Sequence, residues 1–206
     1  MTATHPLRRD AERNRRRILD AARALMAERG VGVSLDEVAA AADVGVGTVY
    51  RRFPDRESLV RALFSEHVDA VVALATQARE SRDAWQGIQD FLGAVLAMQA
   101  ADRGLSQILR GGELGATLAH DARIRITPVV DELITRARDS GQLRPDIGPG
   151  DLVLAELMAG AVAERTGPGD DATWRRALSI VLAGLRADGL SGRTPDGPAI
   201  DRLQGR

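Results

Sequence analysis

Apolar residues return roughly every three to four positions along most of this chain, and where that rhythm breaks the chain must turn. The clearest break lies between Ser34 and Arg56. Leu35, Val38, Ala39 and Ala42 share one helical face, Asp43-Val44-Gly45 interrupts it, and the pattern resumes from Val46 with Val49 and Phe53 a turn apart. We expect two short helices joined by a tight corner. Ser34 with Glu37 forms a capping box for the first, and Val33 is placed to staple onto Val38. The second helix, about two turns long, is marginal in water on its own and needs Val44, Val49 and Phe53 to pack it down. Val46, Gly47, Thr48, Tyr50, Arg51 and Arg52 are then left pointing outward. Hydroxyls and guanidinium groups on a helix that follows a tight corner suit the major groove of DNA.

Upstream, Ile18, Ala22, Leu25 and Met26 predict an amphipathic helix from Asp10 to Arg29, capped by Gly30 and able to close a three-helix core; residues 1–9 are expected to be mobile. Downstream, Pro54-Asp55 breaks the chain. With Asp55 as cap, Leu59, Leu63, Val68, Val71, Val72 and Ala75 carry a helix to about Arg79, a natural lever between the reading head and the C-terminal helices. After a polar link comes a helix with Trp85, Ile88, Phe91, Leu92, Val95, Leu96 and Met98, ending at Asp102 to Gly104. Shorter segments at Leu105–Leu109 and Leu114–Leu118 are parted by Gly111-Gly112, and a helix over Ala122–Ser140 should be kinked, or its start displaced, by Pro128. A loop over residues 141–151 precedes two final helices, Asp151 to about Arg165 and Ala172 to about Arg186.

The first of these two is apolar on nearly all sides, so it must be buried on more than one. One flank can face its own domain and the other a second copy of the chain. This predicts a two-fold four-helix interface built from Leu154, Leu157, Met158, Ala161, Val162, Trp174, Leu178, Val181, Leu182 and Leu185. Residues 190–206, rich in Gly, Pro, Asp and Arg, are expected to be disordered.

Composition changes this picture little, but charge placement does. A net charge of -1 does not suggest a nucleic-acid binder, yet Arg8, Arg9, Arg13, Arg15, Arg16 and Arg17 crowd the N-terminus beside the proposed head. The absence of cysteine excludes disulfides and thiolate metal sites and fits a reducing cytoplasm. Neither a run of about 18 apolar residues nor a signal-peptide core is present, so we expect a cytoplasmic protein with no membrane partner.

The stretch AADVGVGTVYRRFPDRESLVRAL resembles the DNA-binding signature of the TetR family of bacterial transcriptional regulators, most closely through Thr48, Tyr50, Phe53, Asp55 and Leu59. The resemblance implies an all-α homodimer. Residues 1–54 would form a three-helix helix-turn-helix domain, and residues 55–189 a larger helical domain for dimerisation and effector binding. Thr48 and Tyr50 match family positions that contact DNA, Tyr50 through its hydroxyl to a phosphate. Arg52 stands where a His or other polar reader is common, and a guanidinium there can fork onto guanine. Arg56 replaces a typical phosphate-touching Lys. Gly45 departs from the usual Ser or Thr cap, and Val46 and Gly47 offer no side-chain hydrogen bonds, though Val46 can touch a thymine methyl. The expected DNA-facing set is Arg8, Arg9, Arg16, Ser34, Leu35, Val46, Gly47, Thr48, Tyr50, Arg51, Arg52 and Arg56.

The reading is thus a one-component regulator, a repressor of a palindromic double-stranded operator, released by a small apolar or amphipathic effector. Trp85, Phe91, Met98, Leu105, Ile108, Leu109, Ile126, Val130 and Leu133 are candidates to line the effector site, although any helical core would contain the same residue types. GVGTVY follows a helix rather than a strand and lacks a third glycine, which excludes a dinucleotide loop. His5, His67 and His120 are too scattered for a metal site, and no nucleophile-base grouping stands out, so neither cofactor nor catalysis is expected. The rival is an all-α enzyme or ligand-binding protein that keeps a helix-turn-helix only as a packing element; it needs a catalytic constellation within residues 80–190.

Overall fold

A computed structural model describes residues 4–101, 112–166 and 169–187, and within them the side chains of all but residues 4–8, 31 and 112. Among the described residues there are eight α-helices and no strand: α1 Thr4–Arg29, α2 Leu35–Ala41, α3 Val46–Arg52, α4 Arg56–Arg79, α5 Ala84–Ala101, α6 Gly112–Asp139, α7 Pro149–Thr166 and α8 Asp171–Leu185. The fold is all-α, as expected.

Packing divides the chain into two units, one running to His67 and one beginning at Val68. Residues Arg56 to His67 of α4 therefore group with the N-terminal unit, where a boundary after residue 54 was expected. In that unit α1 packs on α2 and α2 on α3. The core is made by Ile18, Leu19, Ala22 and Met26 from α1, Leu35, Val38 and Ala39 from α2, Val49 from α3, Phe53, and Leu59, Val60, Leu63 and Phe64 from α4, all buried. Helix α1 starts at Thr4 rather than Asp10; Pro6 sits in its first turn, where a missing N–H costs nothing. Gly30 ends it with φ +74, the left-handed conformation that glycine alone adopts cheaply.

The second unit has one continuous core, from Val71 and Ala75 on α4 through Trp85, Ile88, Leu92 and Leu96 on α5 to Leu133, Ile134, Leu152, Ala155, Ala159, Trp174, Leu178 and Leu182. Helix α5 is its centre, packing on α6, α7 and α8, and the pair α7 and α8 packs most extensively of all. The small residues Ala155, Ala159 and Ala163 form the buried stripe of α7. Two separate segments expected around Leu114–Leu118 and Ala122–Ser140 are instead one helix running through Pro128. Pro128 and Ile124, one turn back, are both exposed, so water can reach the carbonyl that proline leaves without a donor. The loop before α7 is held by Arg144, the one buried charged side chain among the described residues. Its Nε and Nη2 fork onto the Asp146 carboxylate, with 3.0 Å from Nε to Oδ1, and Nη1 donates to the Gly184 carbonyl at 3.0 Å. The loop is also bridged to Arg186 through Leu143.

One polar group sits awkwardly. Glu156, half-buried on α7, accepts a bond from Gln99 Nε2 at 2.6 Å. Burial pushes its carboxyl above the ordinary range, and the Gln99 bond opposes this only in part. Below the ordinary glutamate pKa both folded and unfolded chains hold the proton. As pH rises from there through the raised folded value, the unfolded chain releases a proton that the native state keeps, so stability falls. Glu156→Gln, which can still accept from Gln99, is expected to melt higher than the parent at neutral pH and to match it in acid. A pH series of thermal melts checks this; a parent more stable than the variant at pH 7 contradicts it.

Candidate nucleic-acid interface

The corner is built as its residues dictate. Ser34 caps α2 through both halves of a capping box: its Oγ accepts from the Glu37 amide at 3.2 Å, and its own amide donates to Glu37 Oε2 at 2.9 Å. Those bonds from the Ser34 backbone and hydroxyl, with Arg29 beside it, hold the Glu37 carboxyl below the usual range. The turn after α2 passes through Asp43 at φ +50, the left-handed region that aspartate tolerates better than most residues. Arg17 on α1 pins this turn, its Nη2 donating to the Asp43 carbonyl at 2.9 Å and carboxylate at 3.0 Å. Gly45 then caps α3 by backbone alone, with Thr48 N–H donating to the Gly45 carbonyl at 2.8 Å. After α3, Asp55 caps α4 by accepting from the Ser58 amide at 2.7 Å.

Within α3 only Val49 is buried. Val46, Gly47, Tyr50, Arg51 and Arg52 are exposed, Tyr50 by 45%, and Thr48 is half-exposed. Arg51 Nη2 donates to Thr48 Oγ1 at 3.1 Å. The basic residues around this face are of two kinds. Arg13 pairs with Asp10, Arg15 with Glu66 at 2.6 Å, Arg17 with Asp43 at 3.0 Å and Arg29 with Glu37 at 3.3 Å. Arg9, Arg16, Arg52 and Arg56 are exposed and pair with no acidic side chain among the described residues. They are the cations free to meet phosphate.

Residues 18–63 match the family model for bacterial regulatory proteins of the tetR family, and residues 83–187 match the C-terminal domain of SbtR-like transcriptional regulators. The chain belongs to the TetR family. Solved TetR structures agree along the length: a TetR regulatory protein from Mycobacterium vanbaalenii is 31% identical, covering 88% of this chain and 99% of that one at a TM-score of 0.63. The TetR regulator SCO0520 from Streptomyces coelicolor is 27% identical, covering 85% and 99% at a TM-score of 0.64. A curated relative, an HTH-type transcriptional regulator of Staphylococcus aureus, is 28% identical over 108 residues, 52% of this chain and 58% of that relative, so that match spans little more than half of each.

In this TetR-family regulator the expected site residues separate by exposure. Leu35 is 6% exposed, in the core of the head; as the first apolar residue of a capped amphipathic helix it faces inward, and only its backbone is left to meet DNA. The Ser34 hydroxyl is exposed but already engaged with Glu37, donating to Oε2 at 2.8 Å. The side chain of Arg8 lies outside the described residues.

The expected interface needs a larger correction. Trp174, at 1% exposure, Leu178 and Leu182 are buried within their own domain, where α8 packs on α5 and α7, and cannot face a second copy. Val162, Val181 and Leu185 lean on the same core. What α7 and α8 present outward is Met158, 57% exposed, Ala161, Ala183 and Ile180, 58% exposed, with Leu154 and Leu157 half-buried beside them. Ile180 was missed; its signal is an isoleucine on the face of α8 opposite Trp174, Leu178 and Leu182. Of the candidate effector residues, Trp85, Phe91, Val130 and Leu133 are buried in the core and Met98 and Ile126 pack at its margin, while Leu105, Ile108 and Leu109 lie outside the described residues. No described helix is long and apolar enough to cross a membrane, and no described group of three His, Cys, Asp or Glu is placed to hold a metal.

Proposed function

We propose that two copies of this chain bind a palindromic operator as a repressor, each α3 entering one of two successive major grooves about 34 Å apart. The observation that carries this reading is the exposed face of α3, flanked by Arg9, Arg16 and Arg56, which have no acidic partner among the described residues. The apolar patch around Met158 and Ile180 supports pairing through α7 and α8, because apolar residues clustered on a helix pair need a partner surface. A small apolar or amphipathic effector in the C-terminal unit releases the operator by shifting α4, whose first turns group with the head and whose remainder groups with the second unit. Moving the dimer from about 99% competent to about 1% requires the effector to prefer the released state by about 10⁴-fold.

Genome-wide mapping of bound DNA, followed by gel-shift titration on the fragments recovered, tests this. Tyr50→Phe is expected to weaken binding to every fragment, by about tenfold or less for a lost phosphate hydrogen bond, and Arg56→Ala to weaken it similarly across sequences. A protein monomeric at micromolar concentration on DNA, or variants that bind like the parent, refutes the reading.

A further inference from the structure

The last turn of α3 carries two arginines, and their positions on the helix are not equivalent. Val49 and Phe53 are buried and define the side of α3 that faces the core. At about 100° per residue, the position diametrically opposite falls on residue 51, with Tyr50 and Arg52 about 100° to either side. Arg51 is therefore the side chain aimed most directly away from the protein, and Arg52 lies on a flank.

Two further observations concern where the Arg51 guanidinium goes. It folds back along the helix and bonds Thr48 Oγ1 at 3.1 Å. It also lies over Gly47, where a Cβ would sit 3.7 Å from Nη1. A guanidinium rooted in the C-terminal turn is thereby delivered to the N-terminal turn, the end of a recognition helix that reaches base edges. Gly47 leaves that path open, since any branched or long side chain there would occupy it. Thr48 takes one N–H, and the remaining donors are left to fork onto the O6 and N7 of a guanine.

We propose that Arg51 reads a guanine in each half-site, held in place by Thr48 and by the absence of a side chain at Gly47, while Arg52 contributes phosphate contact on the flank. This rests on the operator-binding reading above and specifies it. The full-length protein, Arg51→Ala, Arg51→Lys and Arg52→Ala are each used to select duplexes from a random pool, and the bound pools are sequenced.

The parent is expected to yield a two-fold motif with a G·C pair in each half. Arg51→Ala loses about 10- to 100-fold discrimination at that pair while keeping the rest of the motif, and Arg51→Lys, which keeps the charge without the planar fork, retains most of the total affinity and loses a smaller part of the discrimination. Arg52→Ala binds all sequences more weakly with the motif unchanged. A motif in which the guanine preference survives in both Arg51 variants, disappears in Arg52→Ala, or is absent from the parent overturns the assignment alone. A parent that enriches no motif overturns the operator reading together with it.

Discussion

Raising monovalent salt from 50 to 200 mM is expected to lower the affinity of the proposed dimer for its operator about ten-thousandfold. The figure follows from which arginines are free. Arg9, Arg16, Arg52 and Arg56 are exposed without an acidic partner among the described residues, so two protomers bring roughly eight phosphate-neutralising contacts, enough for a loss of about 10⁴ over that range. If Arg13, Arg15 and Arg17 also left their partners for phosphate, the contacts would rise to roughly fourteen and the loss would exceed about 10⁷. The ion pairs argue against this: Arg15 is held at 2.6 Å from Glu66, and Arg17 is bonded to both the carbonyl and the carboxylate of Asp43. Fluorescence-anisotropy titrations across the salt range measure the slope. Arg16→Ala should flatten it by about one for each protomer's contact, whereas Arg15→Ala should leave it unchanged. A steeper slope than eight contacts allow, or an Arg15→Ala variant that flattens it, would show that the α1 ion pairs open on DNA.

That contrast marks what the sequence could and could not reveal. The local chemistry was legible: Ser34 with Glu37, Asp55 at the start of α4 and Gly30 at the end of α1 act within a few residues of themselves, and each forms the cap its residue type predicts. The arginines of α1 were not separable in the same way, because the acids that take up Arg15 and Arg17 lie far along the chain and meet them only in the fold. The same limit governs α7 and α8. Helical spacing shows that Trp174, Leu178 and Leu182 share a face, but not whether α5 or a second copy of the chain covers it; here α5 and α7 do. Pro128 is the converse case, a strong local breaker overridden where the helix face is open to solvent. On α3 the residue pattern left Arg51 and Arg52 together on the outward face and pointed to Arg52 as the guanine reader; the bond from Arg51 to Thr48, which sets the two apart, needed the structure.

Two glycines on α5 are expected to respond to the same substitution with opposite signs. Exchanging glycine for alanine inside a helix ordinarily stabilises it by up to about 1 kcal/mol, because the unfolded chain loses freedom that glycine has in excess. Gly93 has nothing within 4 Å of where a Cβ would sit, so Gly93→Ala should show that gain. At Gly87 a Cβ would lie 2.5 Å from the Ala78 carbonyl oxygen, 3.3 Å from its carbon and 3.4 Å from Leu133 Cδ1. The first two are backbone of α4, and that carbonyl also accepts the Ser81 amide at 3.1 Å, so it cannot swing aside without breaking the turn that joins α4 to α5. Relief requires α4 and α5 to move apart, opening the packing around Ala78, Ala84 and Ile88. Overpacking of this kind costs about 1–3 kcal/mol or more, which outweighs the helix gain. Gly87→Ala is expected to lose roughly 2 kcal/mol net, a fall of about 4–8 °C in melting temperature for a chain of this size. Calorimetry on the two variants decides it. If Gly87→Ala melts at or above the parent, the end of α4 and the start of α5 do not approach as closely as 2.5 Å from a Gly87 Cβ to the Ala78 carbonyl implies, and the tight contact at that corner is wrong.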